Sequence, residues 1–364
     1  MSNPSTGSGH RIDPSVNDVM QDEDKLAHAT LPRGAQWLVG VAAVALGGLA
    51  LVLGVGIVGA AVIGVLAFLI GYPLWALLVE NKRSAIDKFV TGLVWTAFAV
   101  AVIPLIWLVY TVVSRGAATI SPEFLTFSMR SVTGDDQGGL YHALMGTLIV
   151  TGIAAVISIP IGIMTAIYLI EYGKGNRLAK TITFLVDVMT GIPSIVAGLF
   201  AFALFTLIMG PGTRFGFGGG VALSLLMIPT VVRSTEEMLK LVPDDLREAA
   251  YALGVPKWRT ITKMVLPTAI GGIVTGVVLS ISRVIGETAP LLVASGFNPN
   301  LNTNAFEDSP MMTVPVFIYT QLSEATAKGV EYAWGGALVL FILVMVLNLI
   351  ARIVGTIFAP KTGR

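Results

Sequence analysis

The sequence predicts an all-α, polytopic membrane protein with about eight transmembrane helices. Of its 364 residues, 54% are hydrophobic and only 12% are charged, whereas a typical soluble domain carries roughly 25% charged residues. Almost all of the charge lies between long apolar runs, and a helix needs roughly twenty apolar residues to cross a bilayer. This layout is typical of a chain that crosses a membrane repeatedly.

Eight apolar runs are long enough to span the membrane. The first two belong to one apolar region interrupted by Gly54, Gly56 and Gly59, which predicts a tight hairpin. These glycines also match the dinucleotide-binding pattern G-x-G-x-x-G, but that site needs a preceding strand, and both flanks here are apolar spans. The predicted spans are 36–53, 56–79, 89–113, 142–170, 183–209, 217–233, 268–294 and 334–358.

The distribution of lysine and arginine predicts the orientation, because cytoplasmic loops carry an excess of these residues. With the amino terminus inside, 18 of the 23 lysines and arginines fall in cytoplasmic segments or at the span ends that face them. Four fall in outer loops, and Arg283 lies within a span. Both termini are therefore expected in the cytoplasm of a multi-pass protein of the plasma membrane.

Three regions follow from this layout. Residues 1–34 are polar and lack the short apolar core of a cleavable signal, so they predict a disordered cytoplasmic tail. Residues 35–80 form the first hairpin. Residues 81–364 form the main membrane domain, and their charged stretch 234–267 is expected on the cytoplasmic side.

That charged stretch contains the most specific motif of the chain. Residues 248–267 read EAAYALGVPKWRTITKMVLP. The spacing is EAA, three residues, Gly254, nine residues, Met264, one residue and then Leu-Pro.

The residue types in this motif have physical reasons. Ala249 and Ala250 are small, strong helix formers, so a helix that carries them can lie close to a partner surface. Gly254 permits a backbone turn that other residues resist. Pro256 and Pro267 are tolerated in the first turn of a helix and disfavoured inside one. The motif therefore predicts two short cytoplasmic helices joined by a glycine turn, a shape suited to a cleft on another protein.

The spacing resembles the EAA loop of the permease subunits of ATP-binding-cassette (ABC) importers, with Met264 in place of the usual isoleucine. Further stretches resemble the PstA-type permease subunit of bacterial phosphate importers, over about residues 89–358. These stretches are GGLYHALMGTL (138–148), PIGIMTAIYLIEYG (160–173), GIPSIVAGLF (191–200), RSTEEMLKLVPDDLREAAYALGVPKW (233–258) and SRVIGETAPLL (282–292).

The resemblance implies a type I ABC importer permease fold, with a six-helix core to which the first hairpin is an addition. It also implies inorganic phosphate as substrate, a PstC-type partner permease, two cassette ATPase subunits and an extracellular phosphate-binding protein. The chain has no G-x-x-x-x-G-K-[ST] loop to hold ATP, so a non-catalytic role is expected, with ATP hydrolysis in a separate chain. The residues expected to couple to the ATPase are Glu248, Ala249, Ala250, Gly254 and Pro256.

Arg283 and Glu287 are the first candidates for the substrate path. A charge near the bilayer centre costs about 2.5–3.5 kcal/mol on insertion scales, so it is normally functional or paired. Helical rise places Arg283 about 22 Å from the cytoplasmic end of its span, and a spacing of four would put both residues on one helical face. They are interpreted as a polar gate, in which Glu287 holds the arginine until an anion arrives. A purely structural ion pair is the alternative.

Arg233 and Ser194 are further candidates. Arg233 ends the predicted span 217–233 and is expected either to guide the anion out or to serve as a topological anchor. Ser194 follows Gly191-Ile192-Pro193, where glycine and proline break the helix near Asp187. The freed backbone amides and Ser194 are expected to line a polar cavity, with a simple proline kink as the alternative.

Two alternative functions remain open from sequence. A permease for another oxyanion, such as sulfate or molybdate, would share the EAA spacing, and only the stretches 233–258 and 282–292 argue against it. An ion-coupled secondary transporter would be expected to have internal repeats and several intramembrane carboxylates. The sequence shows no such repeat, and Glu287 and Asp187 are its only carboxylates of this kind. A membrane-anchored structural or sensory protein is disfavoured, because beyond the 34-residue tail the sequence has no soluble domain.

Composition also bears on cofactors and other partners. The chain has no cysteine, and its three histidines are far apart in sequence, so no metal site or other cofactor is expected. The net charge of +1 does not indicate a nucleic-acid partner.

Overall fold

A computed structural model of the chain describes residues 30–32, 34–130, 132 and 137–358. The regular secondary structure of these residues is helical throughout. Within these residues, seven helices are long and apolar enough to cross a membrane, or eight if one bent pair counts as a single span. The prediction of an all-α polytopic membrane protein is confirmed. The tail predicted over 1–34 lies almost entirely outside the described residues.

The helix bounds define the labels used below. In chain order, the α-helices of the described residues are α1 (Ala35–Val52), α2 (Gly56–Val79), α3 (Lys82–Gly116), α4 (Pro122–Thr126), α5 (Tyr141–Ile167), α6 (Arg177–Thr190), α7 (Ser194–Met209), α8 (Gly216–Lys240), α9 (Asp244–Ala252), α10 (Lys257–Thr260), α11 (Leu266–Val284), α12 (Ala289–Ala294), α13 (Val314–Ser323) and α14 (Ala327–Phe358). A π-helical turn, Tyr168–Tyr172, extends α5, and a second, Ile261–Val265, joins α10 to α11.

The chain divides into two compact units, Met1–Leu108 and Val109–Arg364. In the first unit, α1 and α2 form the predicted hairpin, and Gly54 and Gly56 take φ values of +85° and +79° in its turn. Small residues bring the two backbones together, since a Cβ on Gly47 would lie only 2.8 Å from the carbonyl oxygen of Ala60.

A polar cluster closes the end of this hairpin. Glu80 accepts hydrogen bonds from the Lys88 ammonium, the Ser84 hydroxyl and, at 2.7 Å, the Leu31 backbone amide. The bonds from Lys88, Ser84 and Leu31 stabilise the carboxylate and lower the pKa of Glu80 from 4.5 to about 2. The segment before α1 is thereby tied to the turn that follows α2.

In the second unit, α8 is the central helix. It packs along α5 and also contacts α7, α11 and α12. Glycines let these neighbours approach closely, because a Cβ on Gly219 would lie 2.8 Å from that of Ser295 and one on Gly276 would lie 2.7 Å from that of Ser234. The main hydrophobic core of this unit is built mostly from α5, α8 and α11.

Two of the predicted spans are broken. The predicted span 183–209 consists of α6 and α7, which are bent by 106° at Gly191–Pro193. Residues before a proline avoid the α conformation, so the chain leaves the helix there. The bend is too large for a simple proline kink, so the predicted helix break is confirmed.

The predicted span 268–294 is broken as well, and here the prediction of a continuous helix was wrong. Helix α11 ends at Val284, and α12 begins at Ala289 with a proline in its first turn. Pro290 has no amide hydrogen to donate back to the residue 286 carbonyl, and its ring would collide with that group. Arg283 and Glu287 therefore do not share a helical face.

Candidate functional site

The first part of the charged stretch between α8 and α11 folds as its motif predicts. Helix α9 begins after Pro243, with Asp244 and Asp245 in its first turn, where acidic side chains are favoured. Gly254 takes φ +74° in the turn that follows, and Pro256 precedes α10. The predicted first short helix and the glycine turn are present, but the prediction of a second, separate short helix was wrong. Helix α10 continues through the π-helical turn into α11, so Lys257–Val284 is one uninterrupted helical stretch with Pro267 inside it. We call residues 241–260 the coupling segment.

The exposed face of the coupling segment is both charged and apolar. Glu248, Ala249 and Pro256 are exposed, whereas Ala250 is only 2% exposed and faces the interior of its own chain. Leu253 and Trp258 are 82% and 57% exposed. Large apolar side chains grouped on a surface mark a site for a partner. Glu248 and Ala249 therefore face outward, whereas Ala250 packs α9 against the rest of its own chain.

Two buried residues that were not predicted as site residues hold this segment in place. Arg247, directly before Glu248, reaches back to Glu171 in the π-helical turn after α5. The sequence does show that Glu171 is a charged residue at the end of an apolar span. It could not show that Glu171 pairs with Arg247, because the two residues are 76 positions apart and no local pattern connects them.

Arg233 lies in α8 and ties that helix to α6. Its guanidinium donates to Glu236 at 2.7 Å and also to the Asp187 carboxylate. A cavity of about 500 Å³ adjoins this network, and its lining includes Asp187, Arg233 and Glu236. Lys174, Lys180 and Lys240 also line the cavity. This is not the cavity predicted at the break in the 183–209 span, because neither Ser194 nor the residues at the break line it. Ser194 lies half-buried at the start of α7.

Arg283 and Glu287 are not paired with each other. Arg283 is exposed in the last turn of α11, where a positive charge interacts favourably with the helix dipole. No carboxylate among the described residues lies within 4.0 Å of its guanidinium. Glu287 lies in the non-helical link to α12. The interpretation that Glu287 holds the arginine in the absence of an anion was wrong, because the helix ends between them.

Near Arg283, the Ser282 hydroxyl donates to Asn348 Oδ1 at 3.1 Å and links α11 to α14.

In the described ranges, no group of three or more histidine, cysteine or acidic side chains is placed to hold a metal ion. His142 is buried beside Met312, with 3.1 Å between Nε2 and Sδ, and contacts the Phe317 ring edge to face.

Comparison with known proteins decides the family. Residues 158–364, more than half of the chain, match the family described as "Binding-protein-dependent transport system inner membrane component". The chain is 47% identical over 275 residues to the phosphate transport system permease protein PstA 1 of Mycobacterium tuberculosis (strain ATCC 25618 / H37Rv), covering 75% of this chain and 88% of the relative. This chain belongs to the PstA family of permeases.

A second PstA protein, from Yersinia pestis, is 42% identical over 258 residues and is covered to 84% of its length. Among solved structures, a bacterial ABC transporter involved in the import of the acidic polysaccharide alginate aligns with a TM-score of 0.50 and 17% identity. That alignment covers 72% of this chain and 95% of the other. At this identity it supports the fold alone, which is that of an ABC importer permease. The resemblance seen in the sequence motifs is confirmed.

Proposed function

We propose that this chain is the membrane-spanning permease subunit of an ATP-driven importer of inorganic phosphate in a bacterial cell membrane. The observation that carries the proposal is its 47% identity over 275 residues to a phosphate transport permease. The relatives from Mycobacterium tuberculosis and Yersinia pestis are both phosphate transport permeases, which favours phosphate over sulfate or molybdate as the substrate. An extracellular phosphate-binding protein delivers the anion, and the anion crosses between this chain and a PstC-type partner permease.

Energy enters through the coupling segment. The chain lacks an ATP-binding loop of its own, so two cassette ATPase subunits hydrolyse ATP, and one of them receives the α9–Gly254–α10 corner in a surface cleft. Glu248 and Ala249 contact the cleft, and the exposed Leu253 and Trp258 side chains become buried there. Burial of such side chains contributes roughly 1.5–3 kcal/mol each.

The translocation path passes Arg283. An unpaired arginine at membrane depth that faced lipid would carry an insertion cost of about 2.5–3.5 kcal/mol. A position on a water-filled path, or against the partner permease, avoids that cost. The planar guanidinium can hold a phosphate oxyanion through two parallel hydrogen bonds. Glu287, beyond the helix end, lines the same path without neutralising the arginine.

The path continues past the break between α6 and α7 to the cavity at Arg233. Ser194, with the backbone amides freed at the break, provides polar groups along the way. The lysines around the Arg233 cavity attract the anion toward its exit.

We further propose that both termini lie in the cytoplasm and that the hairpin 35–80 is an addition to the permease domain 81–364. The excess of basic residues in the inner segments supports the orientation. The match to the Mycobacterium tuberculosis relative, which covers 88% of that relative but only 75% of this chain, supports the addition. The cysteine-free sequence permits a direct test. A cysteine at the exposed Thr126 should react with an impermeant thiol reagent in intact cells, and one at the exposed Arg177 should react only after permeabilisation. The reverse pattern would contradict the orientation.

Reconstitution tests the function. The chain should be co-expressed with its genomic neighbours, purified, and placed in proteoliposomes with ATP inside. Labelled phosphate should accumulate only when ATP and the binding protein are both present, and excess sulfate or molybdate should not compete. Competition by either anion, or uptake driven by an ion gradient without ATP, would favour an alternative transporter.

A further inference from the structure

The coupling segment has one charged anchor inside its own chain. Arg247 and Ala250 are the only residues of α9 that are buried. The Arg247 Nε and Nη2 atoms donate to the Oε1 atom of Glu171 at 3.1 Å and 2.9 Å. Arg247 is 8% exposed and Glu171 is 6% exposed, so water has little access to the ion pair.

The same guanidinium also caps the end of α8. Nη1 donates to the carbonyl oxygen of Val242 at 2.7 Å, and Nη2 donates to that of Leu239 at 3.0 Å. The last carbonyls of a helix have no partner within the helix, so an arginine that binds them satisfies groups that would otherwise be unpaired. Nη1 lies 3.1 Å from Asp244 Oδ1 as well. One side chain thus joins α9, the end of α8 and the π-helical turn after α5.

A second contact links the coupling segment to the same turn. The Lys257 ammonium lies 4.9 Å from the centre of the Tyr172 ring, next in sequence to Glu171. Both α9 and α10 therefore contact the π-helical turn Tyr168–Tyr172. π-Helical turns occur preferentially at functional positions of helices.

We infer that Arg247 and Glu171 form the joint through which movement of the coupling segment is transmitted to α5 and α8. This inference rests on the proposed function. The two residues are positioning residues, since neither is placed to contact substrate or ATP. A lysine at 247 would keep the charge but not the planar fork that satisfies a carboxylate and two carbonyls together. Breaking one side of a buried pair is also far more disruptive than replacing both.

The test uses the complete transporter in proteoliposomes. The variants are Arg247→Lys and Glu171→Gln, with Arg177→Lys as the matched control, because Arg177 is exposed at the start of α6 and its guanidinium makes no ion pair with the described carboxylates. Three quantities are measured: co-purification of the ATPase subunits, the basal ATPase rate with its stimulation by the phosphate-loaded binding protein, and phosphate uptake.

If the joint transmits movement, both variants should retain the ATPase subunits and basal hydrolysis but lose its stimulation. Their uptake should fall by about tenfold, the scale expected for positions that couple two sites. Arg177→Lys should behave as wild type. Normal stimulation and uptake in both assembled variants would overturn the inference but leave the proposed function intact. Loss of the ATPase subunits from both variants would also overturn it, because the pair would then serve only docking. Absence of ATP-driven uptake in the wild type would overturn the proposed function, and the inference with it.

Discussion

The region where α9 meets the end of α5 and the region where α11 ends each contain an arginine, and their surroundings differ sharply. Arg247 is buried and donates to two carboxylates and two carbonyl oxygens. Arg283 is exposed on its chain and has no described carboxylate within ion-pair distance. A guanidinium whose donors are satisfied is held by the fold, whereas one without a carboxylate partner is available to an anion. This contrast is the basis for the proposals that Arg247 serves mechanical coupling and that Arg283 contacts the substrate.

The largest effect is expected from Arg283. Arg283→Gln should lower phosphate uptake on the order of a hundredfold, the scale of losing one partner of a desolvated charge pair. Arg283→Lys should also fail substantially, because an ammonium lacks the fork that binds an oxyanion through two hydrogen bonds. Uptake is measured in proteoliposomes, with assembly checked by co-purification of all subunits.

A double variant sharpens this prediction. Because Arg283 and Glu287 are not paired, Arg283→Gln combined with Glu287→Gln should remain inactive but assembled. Near-normal uptake by this double variant would show that phosphate transport does not need Arg283. The proposed difference in role between Arg283 and Arg247 would then be wrong.

The next largest effect is expected at Gly254. Its φ of +74° is a conformation that a β-branched residue resists, and a Cβ there would meet no neighbouring atom, so the strain is purely backbone. Gly254→Val should cost about 1–3 kcal/mol locally and reshape the turn between α9 and α10. ATP-driven uptake should be lost while membrane insertion is retained.

Gly212→Val is the matched control for Gly254, since Gly212 has φ +87° and equally open surroundings, in the loop between α7 and α8. Comparable loss of uptake in both variants would show that backbone strain alone is harmful and that the coupling turn has no special role.

A smaller effect is expected in the ion network of Arg233. The Asp187 side chain is 58% exposed and that of Glu236 is 5% exposed. Asp187→Asn should therefore lower the free energy of unfolding by at most about 1 kcal/mol, because an exposed pair is screened by water and salt. Glu236→Gln should cost about 1–3 kcal/mol, because it leaves a buried group poorly satisfied. Thermal unfolding in detergent measures both, and equal losses would contradict the difference in burial.

The smallest effect is expected at Glu80, in the first unit. Its pKa in the folded protein is about 2, below the unfolded value of 4.5. Its stabilising contribution is therefore fully present above pH 4.5 and is lost only as the pH falls through about 2. Exchange of the Leu31 amide hydrogen should be slow at both pH 7 and pH 5, and Glu80→Gln should accelerate it at both. Faster exchange in the wild type at pH 5 than at pH 7, after correction for the intrinsic rate, would contradict the lowered pKa.

Much of the fold follows from local sequence, because hydropathy and helix-breaking residues act over a few positions. The first two predicted spans end within one residue of α1 and α2, and the turn at Gly254 lies where the motif places it. The break at Pro193 could also be predicted from the sequence, because proline disfavours the α conformation of the residue before it. The break before Pro290 had a similar signal, and the charged Arg283 and Glu287 lie beside it, but the run 268–294 as a whole was long and apolar enough to favour a single span.

The sequence by itself determined the helical membrane fold, the family and the glycine turn of the coupling segment, because each of these is encoded in residue types at fixed short spacings. Only the tertiary structure decided which charges meet. Arg233 pairs with Asp187 across 46 positions and Arg247 with Glu171 across 76, while Arg283 and Glu287, only four apart, do not pair because the helix ends between them. Electrostatic pairing depends on distance in space, which helix packing sets and linear spacing does not.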